Sequence, residues 1–157
     1  WIPPVPIALK ESGIYHSLTV DRADGHLYKV KFYRPYFFQF WRDDDSDFLY
    51  SSGDTVFCYA SIFAPPGWRE RIDFRWQRYN EHSEDYTTTD VIGYEINYVP
   101  GREAGYRGYT FKRNVQPGTW RIDVEIETGM LRQVLGRINF EIIEHEGERG
   151  KEIVRRK

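Results

Sequence analysis

This sequence predicts an all-β fold, an immunoglobulin-like antiparallel β-sandwich of about six to eight strands. Three observations carry the prediction. Aromatic residues make up 17% of the chain, with 12 Tyr, 10 Phe and 5 Trp, and aromatic and β-branched side chains favour strands. Apolar residues recur at every second position in several segments, the spacing of a strand with one face buried and the other wet. Breaker residues separate those segments. Methionine occurs once, at Met130, and leucine is scarce, so residues that long helices favour are few.

The elements follow in order. Residues 1–13 carry Pro3, Pro4 and Pro6, which force an extended path and predict a juxtamembrane connector. The domain proper is expected over residues 14–143. In residues 27–33, Tyr28, Val30 and Phe32 alternate with Lys29, Lys31 and Tyr33. An aromatic strand is expected over residues 36–41, with an acidic hairpin loop beside it at residues 43–47. Residues 55–63 are apolar on both faces and predict a central strand covered on both sides. In residues 71–79, Ile72, Phe74 and Trp76 alternate with Arg71, Asp73, Arg75 and Gln77. Residues 91–98 give a further strand, with Ile92, Tyr94 and Ile96 opposed to Glu95 and Asn97. The cleanest case is residues 119–127, where Trp120, Ile122, Val124 and Ile126 alternate with Arg121, Asp123, Glu125 and Glu127. Ile138, Phe140 and Ile142 repeat the pattern. Residues 144–157 read as a charged tail, frayed at its end, within which Glu152 to Arg156 allows a short element.

Length and charge narrow the function classes. A chain of 157 residues supports one core without a disulfide or metal framework. The single cysteine, Cys58, lies in the apolar run 56–60 and reads as a small buried hydrophobe. Basic and acidic residues number 22 and 24 and are interleaved, whereas a nucleic-acid binder concentrates a basic surplus on one face; no nucleic-acid partner is expected. No run approaches the roughly 18 apolar residues of a membrane-spanning helix. The chain opens on Trp1 without an initiator methionine or signal peptide and reads as a piece of something longer.

Catalytic constellations are not evident. The four histidines, His16, His26, His82 and His145, lack the spacing of zinc ligands, and no nucleophile elbow or phosphate-binding glycine loop occurs. Asp123, Glu125 and Glu127 on an alternating strand are expected to be solvated. Asp43, Asp45 and Asp47 have the first three spacings of a calcium loop, but Phe48 stands where such a loop needs glycine and no glutamate closes it; an acidic loop is the expected reading. No metal site and no cofactor are expected. The aromatic surplus points instead to binding, because Tyr and Trp rings stack on sugars or peptide side chains at low entropy cost. Trp76 and Trp120 fall on apolar faces and belong to the core. The candidate ligand-binding residues are Trp68, presented by the turn Ala64-Pro65-Pro66-Gly67, and Tyr106, Arg107, Tyr109 and Lys112.

The run Gly105-Tyr106-Arg107-Gly108-Tyr109-Thr110-Phe111-Lys112, followed by residues 118–125 and then by Val134-Leu135-Gly136-Arg137-Ile138-Asn139-Phe140, resembles the bacterial "domain of unknown function 2914" family. The resemblance extends over nearly the whole chain, most specifically residues 54–143. It implies an extramembrane β domain that follows membrane helices, and it supplies no ligand, catalytic residue or cofactor. Gly105 and Gly108 allow two readings of the motif. One is a structural corner with positive φ, comparable to a tyrosine corner, with Arg107 pairing to Asp123 or Glu125. The other is a cleft for an anionic or sugar group lined by Tyr106, Arg107 and Lys112.

The functional expectation is a non-catalytic binding module of a bacterial membrane-anchored envelope protein, on the extracytoplasmic (periplasmic) side, taking a glycan or a protein partner. A structural or homo-oligomerisation module, built on exposed sheet edges, is the alternative. An enzyme is the third reading and needs a cleft of convergent acids near Arg107.

Overall fold

The computed structural model describes residues 7–21, 27–34, 46–63, 70–96, 106–128, 131–147 and 150–156. Within them the chain is all-β: β1 (Ala8–Tyr15), β2 (Ser17–Asp21), β3 (Leu27–Arg34), β4 (Asp47–Tyr50), β5 (Val56–Phe63), β6 (Glu70–Asn80), β7 (Asp85–Ile96), β8 (Tyr106–Lys112), β9 (Gly118–Thr128), β10 (Leu131–Glu144) and β11 (Lys151–Arg156). The strands join in the orders β1-β5-β8, β4-β10-β9-β6-β7 and β11-β3-β2. These are open sheets of the kind a β-sandwich is built from. Eleven strands exceed the expected six to eight because β1, β2, β4 and β11 are short or charged and show little alternation. Two of them lie at the chain ends: β1 takes in residues 8–13 of the expected connector, and β11 forms where the expected tail allows a short element. The aromatic run 36–41 lies outside the described residues.

Contacts divide the chain into two compact units, where the sequence suggests one domain. The first comprises Trp1–Ser12, Ala60–Gly108 and Trp120–Asn139, and the second Gly13–Tyr59, Tyr109–Thr119 and Phe140–Lys157. The central position expected for residues 55–63 is borne out: β5 is the middle strand of its sheet, and Cys58 is fully buried in it.

In the first unit β6 pairs antiparallel with both β7 and β9. Ile72, Phe74 and Trp76 stand opposite Ile126, Val124 and Ile122, and all six are buried. The alternation in both strands therefore puts one apolar face inward and leaves Arg71, Asp73, Arg75, Gln77, Arg121, Asp123 and Glu125 on the other. A β-bulge between Trp76 and Gln77 shifts the β7 register, and Thr89 Oγ1 donates to the Trp76 carbonyl there, at 3.2 Å.

In the second unit β3 is flanked antiparallel by β2 and β11. Tyr15, Leu18, Tyr28, Val30, Phe32 and Tyr59 form its core cluster, with Val20, Phe57 and Ile153 packed against it. Each such side chain contributes about 1.5–3 kcal/mol of burial. His16 stacks on Phe48 with ring centroids 3.8 Å apart, and its Nε2 lies 2.9 Å from the Leu49 carbonyl. β4 departs from the antiparallel expectation: it runs parallel to the end of β10, with Phe48 beside Ile142. Asp47 opens that strand rather than closing an acidic loop.

Phe32 is fully buried, whereas Leu131 is 77% exposed. Phe32→Ala is expected to cost about 3–5 kcal/mol in urea unfolding, and Leu131→Ala less than about 0.5 kcal/mol. Equal losses would contradict the core assignment.

Candidate functional site

β8 carries four of the five residues singled out for binding. Trp68 lies outside the described residues, as do Asp43, Asp45 and the Tyr106 side chain. From Tyr106 to Lys112 the backbone is a strand, and Gly108 within it is not among the positive-φ residues. The expected corner at this glycine is therefore not formed. A strand directs Arg107, Tyr109 and Phe111 to one face and Gly108, Thr110 and Lys112 to the other. Arg107 and Lys112 consequently do not converge on a single cleft. Lys112 is half-buried, and loss of hydration there lowers its pKa from the ordinary lysine value.

The other face of β8 exposes rings. Tyr109 is 36% and Phe111 47% exposed, unusual for two large side chains two positions apart on one strand. Both have aromatic support within the second unit. The Tyr28 ring meets Tyr109 in a T-shaped contact at 6.2 Å, and Phe57 lies 5.9 Å from Phe111. The Arg113 guanidinium stands 5.9 Å from the Phe111 centroid, within cation–π range. Phe57 and Tyr28 hold the exposed rings from one side, so the outward sides are presented rigidly. Phe111 and Arg113 escaped the sequence reading because a lone Phe between polar residues is assigned to the core by default; its spacing from Tyr109 was the available signal.

A second constellation lies on the outer face of the first unit. Asp123 and Glu125, expected to be solvated, retain only 5% and 3% of their surface. Neighbouring arginines cover them. Arg137 donates to Asp123 through Nε at 2.7 Å and Nη2 at 3.2 Å. Glu125 receives Arg75 at 2.5 Å and Arg132 at 3.2 Å. Arg121 binds Gln77 Oε1 through Nε and Nη2 at 3.0 and 2.9 Å and lies 3.9 Å over the Tyr86 ring. Arg71 pairs with Asp73 at 2.9 Å, directly above Gly93, where a Cβ would collide with both groups. A buried carboxylate persists only when paired, and Arg75 on β6 together with Arg132 and Arg137 on β10 supplies the pairing.

His145 lines a cleft of about 550 Å³ in the second unit with Tyr50, Ser51, Ser52, Glu144 and Glu146. The Ser51 hydroxyl donates to the His145 carbonyl at 2.8 Å, so its proton points at a backbone oxygen and not at a general base. Among the described residues no group of three or more His, Cys, Asp or Glu is placed to hold a metal ion.

Burial pushes the Asp123 carboxyl up, but the Arg137 hydrogen bonds, helped by Gln77 and Arg121, outweigh it and hold the pKa below the ordinary value. A lowered folded pKa stabilises fully above the unfolded value, about 3.9, and that contribution is lost as pH falls through the folded value. Asp123→Asn is therefore expected to lower stability by about 1–3 kcal/mol near pH 7. The difference from the native chain should narrow below about pH 4. A pH-independent difference in urea midpoints would contradict the pairing.

Residues 69–142, which run from the edge of β6 into the end of β10, match the family model described as Protein of unknown function (DUF2914). No curated protein matches the sequence. This segment, which holds both β8 and the arginine-covered carboxylates, is where the chain is similar to the DUF2914 family.

Proposed function

We propose that this chain is a non-catalytic glycan-binding module, carried by a membrane-anchored bacterial envelope protein on its extracytoplasmic side. One observation supports the binding role above all: Tyr109 and Phe111 expose their rings on one face of β8 while Tyr28 and Phe57 brace them from within the second unit. Sugar rings present C–H faces that pack against aromatic planes, and a braced ring loses little rotamer freedom on binding. Arg113 beside Phe111 adds a planar donor for hydroxyl or acidic groups at the rim of that surface. β8 is also an edge strand of its sheet. The membrane setting rests on the family resemblance.

The reading is tested by retention on insoluble cell-wall polysaccharide. Tyr109→Ala and Phe111→Ala together should reduce retention at least tenfold. The melting temperature should shift by less than about 4 °C, the equivalent of roughly 1 kcal/mol. Undiminished retention of the double variant would overturn the assignment of β8.

A further inference from the structure

We infer that the outer sheet face of the first unit, built from β6, β7, β9 and the first part of β10, is a docking surface for an acidic polysaccharide. The inference is independent of the β8 site, which belongs to the other unit.

Exposure is unequal within the ion pairs of this face. The carboxylate side chains of Glu125, Asp123 and Asp73 keep 4%, 7% and 18% of their surface, whereas those of Arg132, Arg137 and Arg71 keep 57%, 47% and 64%. Negative charge is thus sunk beneath the face and positive charge stands on it. An ion pair buried evenly shows little field outside; one buried on its acidic side only presents a cationic surface. Arg121 strengthens the imbalance, because its direct partner is the neutral amide of Gln77. Five guanidinium groups therefore meet three paired carboxylates, and all but Arg75, whose side chain keeps only 19% of its surface, contribute to the outer field. Each guanidinium has five N–H donors, and the two that Arg137 spends on Asp123 leave three directed elsewhere. The chain as a whole carries a formal charge of −2, so this surplus is local. Glu127, exposed on the same strand, ends the row.

The chemistry of the face selects among polyanions. Guanidinium forks match carboxylate, sulfate and phosphate groups. Adjacent strands about 4.8 Å apart repeat those forks across the sheet, which suits a chain bearing an acidic group on each repeating unit. Single-stranded nucleic acid needs open aromatic platforms, but Tyr86 is covered by Arg121 and meets Tyr79 edge-on at 5.4 Å. A bilayer surface requires apolar side chains to enter it; among the described residues of these strands Val91 on β7 and Leu131 and Val134 at the start of β10 are exposed, so vesicles form a separate arm of the test. An acidic peptide needs an anchoring pocket, whereas the arginines here lie over a sheet.

The test uses the whole chain with heparin and polygalacturonate, and neutral dextran as control, in calorimetric titrations across a salt series. Arg71→Gln with Arg132→Gln is the informative variant. Asp73 is partly solvated, and Glu125 keeps Arg75, so neither change strands a buried charge. Expected are binding to the two acidic polymers but not to dextran, and affinity about tenfold weaker in the variant. The salt dependence of log Kd should also be shallower by roughly one to two units. The melting temperature should be unchanged, Arg71→Lys with Arg132→Lys should recover part of the affinity, and Tyr109→Ala with Phe111→Ala should retain it. Four outcomes would overturn the inference: no salt-sensitive binding to either polymer, equal affinity of the glutamine variant and native chain, loss of binding only in the Tyr109/Phe111 variant, or binding confined to vesicles of equimolar phosphatidylcholine and phosphatidylglycerol.

Discussion

A carboxylate on the wet side of a strand stays buried only if a guanidinium comes down over it, and two such carboxylates fix the first unit. Asp123 and Glu125 lie on β9 at positions that face water by alternation, yet they are nearly as inaccessible as the Ile122 and Val124 that flank them. Arg75 from β6 and Arg132 and Arg137 from β10 close over them. A slip of one residue between β6 and β9 would turn every side chain to the opposite face. It would remove Ile72, Phe74 and Trp76 from the core and also take Arg75 away from Glu125. Core and charge row therefore enforce the same register from opposite sides of the sheet. The cost of an unpaired buried charge makes the outer row a selective constraint and not only a solvated surface.

The same alternation, applied to β8, produces a different outer face. Where β9 places acids and arginines, β8 places Tyr109 and Phe111, with Tyr28 and Phe57 bracing them. In both strands the backbone sets side-chain direction, so the groups proposed for recognition sit on rigid elements and would lose little freedom on binding. β7, at the edge of its sheet, is built otherwise. Its 12 residues include Asp85 and Asp90, and its register is broken by a bulge, devices that discourage edge-to-edge pairing. That composition favours ligand recognition on the sheet faces over assembly through this edge.

Much of this was legible in the residues. Expected strands at residues 27–33, 71–79 and 119–127 match β3, β6 and β9 to within a residue at each end, because clean alternation reports directly on a half-buried strand. Trp76, Trp120 and Cys58 are buried as their apolar neighbours implied. β1 was hidden because Lys10, Glu11 and Gly13 interrupt its pattern, and β7 began earlier than expected because Thr87, Thr88 and Thr89 carry no apolar period. The burial of Asp123 and Glu125 was illegible for a different reason. It depends on which arginines of other strands come to lie beside them, and pairing across strands is set by tertiary register and not by local sequence. Phe111 shows the converse, since only its spacing from Tyr109 marks a phenylalanine that the default reading assigns to the core.

Recognition, as proposed, uses outward strand faces with a fixed backbone beneath. Amide chemical-shift mapping, with a cell-wall oligosaccharide titrated into the isotopically labelled chain, tests this most directly. Shifts concentrated at residues 109–113 and 57, with the β9 amides unmoved by a neutral ligand, are the predicted result. Shifts spread evenly over the core strands, or confined to residues around His145, would contradict it.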